Sequence, residues 1–166
     1  MAGIVQETTL DRDRMELSLG DTLDVKTGIL LAAITVLGAL TSTLLGSSTI
    51  GKPLETAQIV SLGLLATGAF FAVWAIWPRN YLLPDLPDAY AKWMHDLTRH
   101  YEHNLEQAES EFESGIMKQA NERIHRNHRI NASKSRWLFR AFWPTLLALL
   151  IDLGTLASLG AIKLLS

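Results

Sequence analysis

Residues 118–140 set seven basic side chains, Lys118, Arg123, Arg126, Arg129, Lys134, Arg136 and Arg140, against a single acidic one, Glu122. His125, His128, Asn121, Asn127 and Asn131 are interspersed among them. Guanidinium forks grip phosphate bidentately, and asparagine amides hydrogen-bond to base edges. The chemistry that suits this composition is recognition of a multivalent anion. Arg123, Arg126, Arg129, Lys134, Arg136, His125 and Asn127 form the candidate ligand-binding set. Copies of such an arm around an oligomer would line an electropositive vestibule. A structural reading competes with this one. Residues 85–113 carry eight acidic and two basic side chains, so an acidic arm could neutralise the basic arm, with the remaining cations lying near lipid headgroups.

Asp152 is the second residue with possible chemistry, the one charge in residues 141–162. An ionised aspartate at mid-span costs roughly 2.5–3.5 kcal/mol on insertion scales, so it must face protein or water. At 100° per residue it shares a mildly polar stripe with Thr145, Ala148 and Thr155. Two readings stand open. The aspartate joins helices through hydrogen bonds, or copies of it ring a wet pore and select cations. On the second reading Asp152, Thr145, Thr155 and Ala148 are the pore-lining set.

Other chemistries find no support. The five histidines are His95, His100, His103, His125 and His128, and no cysteine is present. His100/His103 and His125/His128 have i,i+3 spacing, but without an HExxH pattern no metal site is expected. Thiolate ligands, disulfides and cysteine nucleophiles are excluded. There is no glycine-rich phosphate loop, no G-x-S-x-G, and no deaminase or kinase signature. No catalytic residue and no cofactor are expected, and the chain does not read as an enzyme.

Three apolar stretches must position these residues. The 166-residue chain is 48% hydrophobic and 19% charged with mean hydropathy +0.15, yet the charges are segregated. Residues 27–46 carry none, residues 57–78 carry none, and residues 141–162 carry only Asp152. A helix needs about 20 mainly apolar residues to cross roughly 30 Å of hydrocarbon. The pattern predicts an all-α membrane protein: three transmembrane helices with a cytoplasmic helical hairpin between the second and third. A soluble bundle is disfavoured because so short a chain could not bury three all-apolar helices. The N-terminal stretch is acidic and lacks an apolar h-region, so no signal peptide is expected.

The expected boundaries are a flexible cytoplasmic tail over 1–18, a first transmembrane helix over 19–46, and a second over 54–77. A cytoplasmic helical segment over 85–136 and a third transmembrane helix over 137–163 complete the chain. Ser18 and Asp21 have capping-box spacing, which starts the first helix near Leu19. Pro53 suits the first turn of the second helix. The hairpin is expected to break at Ser114-Gly115, and Pro144 is expected to kink the third span.

Nine basic residues fall in 79–136, three in the N-terminal stretch and one, Lys52, in loop 47–56. The positive-inside rule then places the hairpin and N-terminus in the cytoplasm. Lys163 can snorkel at the far face. Trp74, Trp77, Trp137 and Trp143 fall at the expected inner interface, as an aromatic belt does. Small residues at Gly38, Ser42 and Gly46, at Gly63 and Thr67, and at Gly68 and Ala72 suit close helix contact. If the first helix continues inward, Leu19, Leu23, Asp24 and Lys26 form the candidate gate.

Three short motifs carry a family resemblance. "LDVKTGILLAAITVL" opens the first span with Asp24-x-Lys26-x-Gly28, "WAIWPRNY" closes the second with Pro78-Arg79, and "NASKSRWLFRAFW" leads into the third with Lys134. Over roughly residues 20–160 the chain resembles small membrane effectors of bacterial anti-phage defence: Pycsar transmembrane effectors, SLATT-like proteins of CBASS-type operons and the channel subunit of Hailong. The resemblance implies an inner-membrane, homo-oligomeric ion channel or pore-forming effector. Its partners would be the lipid bilayer, a nucleotide second messenger or short oligonucleotide as ligand, and a nucleotidyltransferase or cyclase encoded nearby. Some members of that family fuse to a nucleotide-binding domain, and no stretch here resembles one. The basic arm is therefore the candidate site on charge alone. The alternatives are a non-conducting membrane anchor or scaffold recruiting a cytoplasmic partner, and a holin-like pore-former.

Overall fold

A computed structural model of the chain describes residues 2–46, 51–77, 79–102 and 104–165, without the side chains of 2–6, 163 and 165. Pro78, His103 and the Lys163 side chain, used above, lie outside the described residues. Four helices and no strand occur among those described: α1 (Ala2–Leu45), α2 (Lys52–Ile76), α3 (Pro87–His100) and α4 (Leu105–Leu165). Three of them hold segments long and apolar enough to cross a membrane, Glu7–Leu45, Lys52–Ile76 and Leu105–Ile162. Most of this apolar surface faces outward. Ile29, Val36, Phe70 and Leu150 are all more than half exposed. Large apolar side chains displayed in continuous bands need hydrocarbon around them, which sets the soluble bundle aside.

Local chemistry explains the helix ends. Gly51 is extended and Pro53 occupies the first turn of α2, where a missing N–H costs nothing. Trp77 leaves the helical region at φ −44°, ψ 127°, in keeping with the bias that a following proline imposes. α3 starts on Pro87 with Asp88 in its first turn and ends with Arg99 and His100; the Asp88 and Arg99 charges complement the helix dipole. The chain then turns through Glu102 at φ 51°. Asn104 caps α4 by accepting from the Gln107 amide at 3.4 Å.

Two boundaries differ from expectation. α1 begins at Ala2, not near Leu19, so the stretch expected as a loose tail is helical and Ser18 and Asp21 lie inside the helix. The expected break at Ser114-Gly115 is also absent; the chain turns before Asn104 instead. Gly115 serves packing, because a Cβ there would collide with the Trp93 ring. Pro144 lies inside α4, which continues past it to Leu165.

The chain divides into two compact units. Unit 1 comprises Met1–Asp21 and Arg79–Asn131; unit 2 comprises Thr22–Pro78 and Ala132–Ser166. In unit 1, α3 packs on the start of α4. Trp93 and Tyr90 meet Phe112 with ring centroids 5.0 and 6.4 Å apart. Tyr101 donates a hydrogen bond to Glu111, and that carboxylate holds the phenol above its usual pKa.

Unit 2 is a three-helix packing with a small-residue interior. Its core is Ile34, Leu65, Ala72, Ala141 and Ala148, flanked by Leu30, Leu31, Leu37 and Phe71. The inward positions alternate by three and four residues. On α2 they are Gln58, Ser61, Leu65, Gly68, Ala72 and Ala75. On α4 they include Ala141, Thr145, Ala148, Asp152 and Thr155. A mean spacing of 3.5 residues is the period of left-handed coiled-coil packing. Trp74, Trp77 and Trp137 cluster in this unit, with centroids 5.9–6.3 Å apart, and Arg140 lies 4.7 Å over the Trp137 ring.

The glycines differ in what they do. A Cβ on Gly68 would meet Thr145 Oγ1 at 2.6 Å and the Ala141 carbonyl at 3.3 Å. A Cβ on Gly38 or Gly63 would meet nothing within 4 Å. Gly68→Ala should therefore destabilise the fold by about 1–3 kcal/mol. Gly63→Ala should not, as thermal unfolding in detergent would record. Equal unfolding temperatures for the two variants would contradict the close approach at Gly68.

Candidate functional site

In unit 1 the basic arm is divided between two roles. Arg123 is buried and its Nε donates to Asp13 Oδ2 at 2.9 Å; the two side chains are only 7% and 5% exposed. Asn127 is also buried. Its Oδ1 accepts from the Leu82 amide at 3.1 Å and its Nδ2 donates to the Leu82 carbonyl at 3.0 Å. Asn131 donates to the Glu16 carbonyl and carboxylate at 2.7 and 2.9 Å, and accepts from the Tyr81 hydroxyl at 2.7 Å. His128 Nδ1 lies 3.0 Å from Glu16 Oε1. The basic arm is thus pinned by carboxylates of α1. The acidic stretch 85–113, which the sequence offered as its partner, supplies none of these pairs.

Arg126, Arg129 and His125 turn the other way. They are exposed and line one cavity of about 760 Å³ together with Asn80, Leu82, Glu122 and Ile130. Neither arginine has an ion-pair partner among the described residues. The size falls within the range of small-molecule sites, roughly 300–1,000 Å³. Its chemistry is mixed. Two guanidinium groups can hold a phosphate in forked geometry, while the Asn80 amide and the Glu122 carboxylate can hydrogen-bond to hydroxyls or ring edges. His125 also borders a smaller cavity of about 200 Å³ with Thr8, Thr9, Arg12, Asn121 and Ile124.

The expected ligand set is corrected accordingly. Arg126, Arg129 and His125 share a cavity. Arg123 and Asn127 are buried and bonded to Asp13 and Leu82, and Arg123 borders a separate cavity of about 150 Å³ with Leu83, Asp85 and Gln119. Lys134 belongs to unit 2, is 5% exposed, and reaches both Asp24 oxygens at 2.7 Å. Arg136, also in unit 2, is exposed and donates to the Ala132 carbonyl at 3.3 Å.

The expected pore-lining set faces the interior of unit 2. Asp152, Thr145, Thr155 and Ala148 are all buried within one chain. Thr41 donates to Asp152 Oδ2 at 2.8 Å, Gln58 Nε2 donates to Thr155 at 2.7 Å, and Ser61 donates to the Ala148 carbonyl at 3.3 Å. The geometry is that of helices joined through hydrogen bonds. Of the gate set, Leu19 is exposed and Leu23 is buried, Asp24 holds Lys134, and Lys26 is exposed.

Residues 10–162 match the Pycsar effector protein domain, PycTM. The chain belongs to the Pycsar effector family. No curated protein and no solved structure matches it. With three helices long and apolar enough to span, this Pycsar effector is a multi-pass membrane protein and a membrane effector of anti-phage defence. Pycsar effectors work with a nucleotide cyclase and a cyclic nucleotide signal, and the expectation of a cyclase partner fits that. Asp13, Glu16, Asn80 and Leu82 are site residues that the sequence reading missed. The signal for the first two was present: Asp13, Glu16, Gly20, Leu23 and Thr27 continue the same alternation of three and four.

Removing Arg123 leaves Asp13 buried without its cation. Breaking a buried pair in this way costs about 3–5 kcal/mol. Arg123→Ala should therefore lower unfolding temperature sharply, whereas Arg126→Ala, an exposed change, should stay within about 0.5 kcal/mol of the parent. Equal stability of the two variants would contradict the division of the basic arm.

Proposed function

We propose that this Pycsar effector sits in the bacterial inner membrane, binds a cyclic nucleotide at the Arg126/Arg129 cavity, and then lets ions or small solutes cross. The observation that carries the reading is the convergence of Arg126, Arg129 and His125 on one cavity that also offers Asn80 and Glu122. The phosphate would lie against the two arginines. The base edge or ribose hydroxyl would meet the amide and carboxylate. The nine basic residues of 79–136 support a cytoplasmic position for this segment, folded as a helical hairpin, where a cyclase product is available.

Conduction is proposed to run between copies in a homo-oligomer, because the three-helix interior of one chain is filled. The gate is proposed at the inner end of α1, through Leu19, Leu23, Asp24 and Lys26, and opening would require Asp24 to part from Lys134. Asp152 then joins helices in place of lining the path. Asp152→Asn should keep assembly and leave the reversal potential in asymmetric salt unchanged, since asparagine replaces an interhelical hydrogen bond worth below about 1 kcal/mol on average. A shifted reversal potential would return Asp152 to the conduction path.

The ligand test uses the full chain in detergent, titrated with a panel of cyclic nucleotides. Arg126→Glu with Arg129→Glu should lower affinity about 100-fold or more, since each lost charge-assisted contact is worth about 1.5–3 kcal/mol, while helicity is kept. Binding that survives both changes would refute the cavity. Liposome flux separates the functional readings. Nucleotide-dependent flux supports the gated pore, flux without nucleotide supports a holin-like pore-former, and binding without flux supports an anchor or scaffold.

A further inference from the structure

Unit 2 carries an open groove of about 420 Å³ between α1 and α4, lined by Lys26, Ile29, Leu30, Ala33, Ser135, Leu138, Phe139 and Phe142. Both sides repeat the same spacing. Positions 26, 29, 30 and 33 on α1 and positions 135, 138, 139 and 142 on α4 are each i, i+3, i+4, i+7, one helical face apiece. Ile29, Phe139 and Phe142 are 66%, 61% and 47% exposed. Lys26 is the one charged lining residue, and no ion pair engages it among the described residues.

We infer that this groove holds one acyl chain of an anionic phospholipid, with the lipid phosphate on Lys26. Three observations select this occupant. The groove starts where the uncharged stretch 27–46 starts, so its apolar length lies along hydrocarbon and its cation lies at headgroup level. Arg136 and Arg140, on the same turns of α4, are exposed and add positive field without entering the groove. A second copy's spanning helices fit less well. Residues 27–46, 57–78 and 141–162 hold one carboxylate, Asp152, and it is fully buried; the exposed Asp21, on α1 just before the uncharged stretch, is the counter-charge a neighbouring copy could offer, and a change in the number of copies per particle reports that case. A zwitterionic lipid would fill the apolar length but would bring no net charge to the ammonium group.

The test is native mass spectrometry of the full chain released from nanodiscs that contain equal amounts of phosphatidylglycerol and phosphatidylcholine with identical acyl chains. Phosphatidylglycerol should remain bound in preference. Lys26→Gln should reduce that preference about fivefold, the effect of one basic residue at an anionic surface, and Lys26→Arg should preserve it. Ala33→Phe, which fills the groove, should remove retention of both lipids. Circular dichroism checks helicity for each variant, and the Lys26 pair, exposed and unpaired, carries the test if Ala33→Phe fails to fold. Equal retention of the two lipids by the parent chain, or an unchanged preference in Lys26→Gln, would overturn the inference. So would a groove-filling variant that alters the number of copies per particle without changing bound lipid. The readout is lipid retention, so it stands apart from nucleotide binding and flux.

Discussion

Hydrocarbon offers no hydrogen-bond partner, so polar side chains buried between these spans turn to one another, although Asp152 Oδ1 and Gln58 Oε1 find no partner among the described residues. Thr41 to Asp152, Gln58 to Thr155 and Ser61 to the Ala148 carbonyl are the contacts made. Each is worth below about 1 kcal/mol on average in a membrane, too little to hold the helices together alone. Their effect is on register. A slide of one helix by a turn would leave Asp152 and Gln58 facing leucines. Thr41 also has only one proton for two acceptors at 2.8 Å, Asp152 and the Leu37 carbonyl. An amide at position 152 has the donor that this arrangement lacks. Adhesion comes instead from close contact: Gly68, Ala72, Ala75, Ala141 and Ala148 let backbones approach where larger residues would hold them apart.

The same rule sorts the basic arm of unit 1. The face of α4 bearing Ala120, Ile124, Asn127 and Asn131 turns inward, and Arg123 beside it reaches Asp13. A cation taken from water at this depth needs a carboxylate, and α1 supplies it. Positions 122, 125, 126 and 129 occupy the outward face. Charge along the sequence treats Arg123 and Arg126 alike. They lie three residues apart, about 60° around the helix, and that rotation turns Arg123 to a structural partner and Arg126 to the larger cavity. A ligand site built from the whole basic run would have asked two buried residues to serve twice.

What was legible in the sequence follows from this. The spans were legible because hydrocarbon imposes a composition that charge-free runs display directly. The start of α1 was not, because a polar helix has no such run, and its support comes from contacts about 110 positions away, Asp13 with Arg123 and Asp24 with Lys134. Gly115 misled because glycine serves both turns and close packing, and only the position of Trp93 distinguishes the two. Asn104 with Gln107 three residues on was a readable helix start that the more obvious glycine obscured. For the site, cation identity was legible and cation availability was not, since availability depends on which helix lies opposite.

These partnerships limit how the effector can respond to a signal. α4 is one helix from Leu105 to Leu165 and carries the cavity arginines, the partner of Asp24 and the Asp152 seam along its length. Lys134 reaches both oxygens of the Asp24 carboxylate from a buried position. Coupling through a packed structure needs an element with two defined arrangements whose balance a ligand can bias. An element of that kind has to lie where polar contacts are held as discrete pairs, and Asp24 with Lys134 is one such pair in this chain.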